Sequence, residues 1–60
     1  MSKTELEKRR EELTKTIIFA QSLGVRAQVM GNKEDATRAE KMYFHAKTEL
    51  DVINLELDKS

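Results

Sequence analysis

The residues with the widest chemical range in this chain are Tyr43 and His45, followed by the carboxylates Glu49, Asp51, Glu56 and Asp58. A histidine beside a carboxylate can act as a general base or a metal ligand, and a tyrosine hydroxyl can donate a proton. The spacing assembles neither device. His45 is the sole histidine and there is no cysteine, so the usual nitrogen and sulfur ligand set for zinc cannot be built. At helical spacing the four carboxylates leave the chain on several faces instead of converging on one. Gly24 and Gly31 stand alone, whereas a loop that cradles phosphate needs clustered glycines. The reading is therefore non-enzymatic, with no catalytic residue, no cofactor and no metal site.

The elements that carry these residues are written in a mirror pattern. About the junction of Gly31 and Asn32, Ala27 is equidistant with Ala36, Gly24 with Ala39, Ala20 with Tyr43, Ile17 with Ala46, Leu13 with Leu50, Arg10 with Ile53, and Leu6 with Leu57. Each row advances by threes and fours, the repeat of a helix packed along a partner helix. An all-α, antiparallel, coiled-coil-like two-helix hairpin satisfies the whole series in one register. Ser2 and Thr4 each precede a glutamate by three residues, which suits the start of a helix near residue 3. Gly31 suits its end and Asn32 the cap of the next. Glu34 and Asp35 then fall where the helix dipole favours carboxylates. The expected organisation is one domain over residues 1–60, with a helix at about 3–30, a turn at 31–32 and a second helix at about 33–58. A glycine inside a helix costs about 1 kcal/mol relative to alanine, so a break at Gly24 competes with continuity. Ala27 keeps the phase and favours continuity. Arg10, the one charged member of the seam, is expected to lay its methylenes along it and reach Glu49 or Glu56.

Composition narrows the function classes. Eleven basic residues balance eleven acidic ones in a chain of 60, and 37% of the residues are charged, a mixture without the positive field of a nonspecific nucleic-acid binder. The N-terminal segment is charged through Glu12, and no apolar run reaches bilayer length, so no membrane association and a cytoplasmic location are expected. A domain of this size buries only about 60% of its unfolded surface. With no disulfide available, oligomerisation is the remaining source of stability.

The apolar residues outside the seam point the same way. Ile18, Val25 and Val29 leave one side of the first helix, and Phe19, Leu23 and Met30 the other. On the second helix Phe44, Val52 and Leu55 form a stripe with Thr48 between them, and Met42 lies at its edge. Such a surface exceeds what a soluble monomer normally exposes. Ile18, Phe19, Leu23, Met30, Phe44, Val52 and Leu55 are the expected protein interface. It would serve a homodimer forming a four-helix bundle, a different protein partner, or both. The expected role is an adaptor, a chaperone subunit or a regulatory inhibitor of a protein.

Two resemblances supply alternatives. The run Glu49, Leu50, Asp51, Val52, Ile53 resembles part of the Ser-Gln-Glu-Leu-Asp motif of the small Spo0E-like aspartyl-phosphate phosphatases, themselves helical hairpins. That resemblance implies a functional role for Asp51, although Lys47 and Thr48 replace the motif's Ser-Gln. The plan is also similar to the Rop four-helix bundles, which implies an RNA-binding regulator. Such a regulator needs a basic face, and here Lys8, Arg9, Arg10 and Lys15 are interleaved with Glu5, Glu7, Glu11 and Glu12, which cancels much of the attraction for phosphate.

Overall fold

A computed structural model describes residues 2–59. The chain forms two helices, α1 (Lys3–Met30) and α2 (Lys33–Lys59), packed against each other in a rod of 44 × 14 × 13 Å. Ser2 starts α1: it is extended, and its side chain accepts from the Glu5 amide at 3.2 Å. That bond satisfies one of the amides a helix start leaves free. α1 then runs through Gly24 without interruption. It stops at Gly31, the one residue with positive φ (69°) among those described. The Gly31 amide donates to the Gln28 carbonyl at 3.2 Å and the Asn32 amide to the Ala27 carbonyl at 2.8 Å, the paired bonds of a Schellman ending. Asn32 immediately caps α2. Its Oδ1 accepts from the Asp35 amide at 3.1 Å, and its Nδ2 donates to the Asp35 carboxylate at 3.0 Å.

Burial follows a strict seven-residue spacing. Leu6, Leu13, Ala20 and Ala27 are buried on α1, and Ala39, Ala46 and Ile53 on α2. The rows beside them are half-buried, Ile17 and Gly24 on one side of the α1 row and Thr16 and Leu23 on the other. The core is uneven along the rod. Leu6, Leu13, Ala46 and Ile53 cluster with Ile17, Leu50 and Leu57 in the half away from the turn, where each large aliphatic side chain contributes about 1.5–3 kcal/mol on full burial. Ala20, Ala27 and Ala39 fill the half next to the turn and contribute less apolar area.

The expected role of Arg10 is corrected. Arg10 is exposed, and the residue that reaches across is Arg9, whose Nε and Nη2 both donate to the Glu49 carboxylate. The buried row passes through Leu6 and Leu13, so Arg9, three residues after Leu6, lies on the flank that Glu49 shares. Arg10 lies on the other flank, on the side of Leu50 and Leu57. Among the described residues no helix is long and apolar enough to cross a membrane.

Candidate interaction surface

The two antiparallel helices give the rod distinct faces, each built by heptad rows from both elements. The flank marked by the Arg9–Glu49 pair also carries Thr16, Phe19, Leu23, Arg26 and Met30 of α1 and Met42 and Val52 of α2. Concavities between the helices follow this flank. One is lined by Leu6, Arg9, Glu49, Val52, Ile53 and Glu56, and the next includes Thr16, Met42 and His45. Ile18, Val25 and Val29 of α1 and Phe44 and Leu55 of α2 point away from the seam on the outer faces.

Of the residues expected at an interface, Ile18, Phe19, Met30, Phe44, Val52 and Leu55 are exposed, and Leu23 is half-buried beside the seam. Val25 and Val29 are exposed as well, Val29 the most of all at 81%. Both lie outside the expected interface set, although the helical period already placed them off the seam. The large apolar side chains thus lie on more than one face and do not form a single stripe. The rings of the neighbours Tyr43 and Phe44 meet edge-on with centroids 5.9 Å apart.

Some of the polar groups on this surface are paired locally. Arg9 Nη1 also donates to Glu12 at 3.1 Å, so one guanidinium serves two carboxylates. The hydrogen bond from Arg9 holds the Glu49 carboxyl below its ordinary value, and the bonds from Glu49 and then Glu12 raise Arg9. Asp51 accepts from Lys47 one turn earlier at 3.2 Å, an ordinary surface pair. His45 is exposed, and no group of three or more His, Cys, Asp or Glu residues among those described could hold a metal ion. What the geometry offers is apolar area framed by short charge networks, a surface suited to contact with another polypeptide. Comparison of the chain with protein-family models, with curated proteins and with solved structures finds no match.

Proposed function

We propose that this hairpin is a non-enzymatic protein–protein interaction module that self-associates and holds a protein partner, as an adaptor, chaperone subunit or regulatory inhibitor. One observation carries the reading: eight large apolar side chains are 53–81% exposed, while the buried core consists of four alanines and three larger aliphatic residues. Burying that surface is worth about 25 cal/mol per Å², and a second polypeptide is the means of burying it. A homodimer with four-helix-bundle packing consumes part of the surface and leaves the outer faces for a client.

Two measurements test the reading together. Sedimentation equilibrium at micromolar concentration is expected to show an associated species. Affinity capture from the native host is expected to recover a defined partner that is lost with Phe44→Asp, while the circular dichroism of that variant stays helical. A monomer whose captured proteins are unaffected by Phe44→Asp overturns it.

A further inference from the structure

We infer that a second copy of this chain docks on the Phe19 flank, with the two α1 helices antiparallel and a two-fold axis passing at Phe19. The inference rests on the self-association proposed above and commits it to one face and one register. Its basis is a charge pattern complementary to itself. Glu12, Phe19 and Arg26 succeed one another at seven-residue intervals, so they occupy one row on the flank of α1. A two-fold axis at the middle member brings Arg26 of each copy against Glu12 of the other, twice per dimer, and sets the two Phe19 rings against each other. The adjacent row obeys the same symmetry: Leu23 faces Thr16 of the second copy, and Met30 lies over the side-chain stem of its Arg9. An isologous contact requires this reciprocity.

The side chains are in the right condition for it. Phe19 is 59% and Met30 75% exposed. Arg26 is exposed and has no ion-pair partner among the described residues, while Glu12 keeps 66% of its side-chain surface open although it binds Arg9. On α2 the axis passes between Met42 and His45, which line the flank concavity with Thr16. The outer faces with Ile18, Val25, Phe44 and Leu55 show no such reciprocity, and they stay open for a different protein.

The test uses the whole chain. Phe19→Cys under a mild thiol oxidant is expected to give a disulfide-linked dimer, and Phe44→Cys under the same conditions is not. Glu12→Arg and Arg26→Glu are each expected to weaken the dimer about tenfold at low salt, since each turns two attractions into two repulsions. An equimolar mixture of the two variants is expected to recover the wild-type affinity, because every contact in the mixed pair joins opposite charges. A dimer that ignores the charge reversals and does not cross-link at Phe19→Cys lies on another face, which overturns this inference and leaves self-association standing. A monomer at all concentrations overturns both.

Discussion

Arg9 of α1 and Glu49 of α2 form the ion pair that crosses the hairpin, the other pairs among the described residues lying within one helix. Arg9 is half-buried and Glu49 exposed, and their side chains keep 43% and 46% of their surface open, so the pair sets alignment more than stability. Its titration has a definite sign. Glu49 is held below its ordinary value by the hydrogen bond from Arg9, so the folded state binds that proton less readily than the unfolded chain. The stabilisation is present above the unfolded carboxylate pKa and is lost as pH falls through the lower folded value. Carbon-13 NMR of the Glu49 carboxyl is expected to show this depression, and Arg9→Ala to return the group toward the ordinary range. An unchanged titration in Arg9→Ala means that the crossing pair does not persist in solution.

The two glycines are expected to respond in opposite directions. A methyl group on Gly24 would lie 3.7 Å from the Ala39 Cβ, ordinary van der Waals contact, with nothing else in its way. Helical backbone at that position gains from alanine, so Gly24→Ala is expected to raise stability by about 1 kcal/mol. At Gly31 there is open space, but φ is +69°, and an L side chain there costs roughly 1–2 kcal/mol. Gly31→Ala is therefore expected to destabilise, and urea denaturation of the pair separates the two effects. A loss of stability in Gly24→Ala would mean that the helices approach more closely than the structure places them.

The same glycine shows how far the sequence could be read. Heptad spacing and the turn signals at Gly31 and Asn32 were sufficient for an antiparallel hairpin, because period and capping chemistry are both local. Whether α1 survived Gly24 was not local. Continuity depends on Ala20, Ala27 and Ala39 packing on either side of the glycine, which outweighs a propensity deficit of about 1 kcal/mol. The mistaken role of Arg10 has a related origin. The mirror series weights seam positions equally, whereas the structure buries every seventh residue and divides the rest between two flanks. A one-residue change at Arg9 and Arg10 rotates a side chain by 100°, which decides which carboxylate it meets. At the candidate surface, the apolar character of Phe19 and Phe44 was visible from composition, but its division among faces required the packing of α1 on α2.

Asn32 joins the end of one helix to the start of the other, and its side chain is expected to matter more than its exposure suggests. It both accepts from the Asp35 amide and donates to the Asp35 carboxylate. Asn32→Ala removes both bonds and is expected to cost about 1 kcal/mol, in the range of helix N-caps. Because the change leaves the buried area alone, the urea midpoint is expected to fall with an unchanged slope. A variant as stable as the wild type would show that water replaces the cap without loss.

Chain concentration separates the residues that hold the hairpin from those that hold its partner. Leu13 is only 4% exposed and belongs to the aliphatic cluster, so Leu13→Ala is expected to cost about 2–5 kcal/mol at any concentration. Phe19 is 59% exposed in the single chain, and away from the core a surface substitution stays within about 0.5 kcal/mol. If a second copy covers it, Phe19→Ala removes stability that exists only when the dimer is populated. Association makes the melting temperature rise with protein concentration. The wild type is therefore expected to melt higher as it is concentrated, and Phe19→Ala to melt at nearly the same temperature throughout. Thermal scans over a hundredfold dilution series decide it: parallel concentration dependence in the two proteins would place Phe19 outside the contact, whatever the stoichiometry.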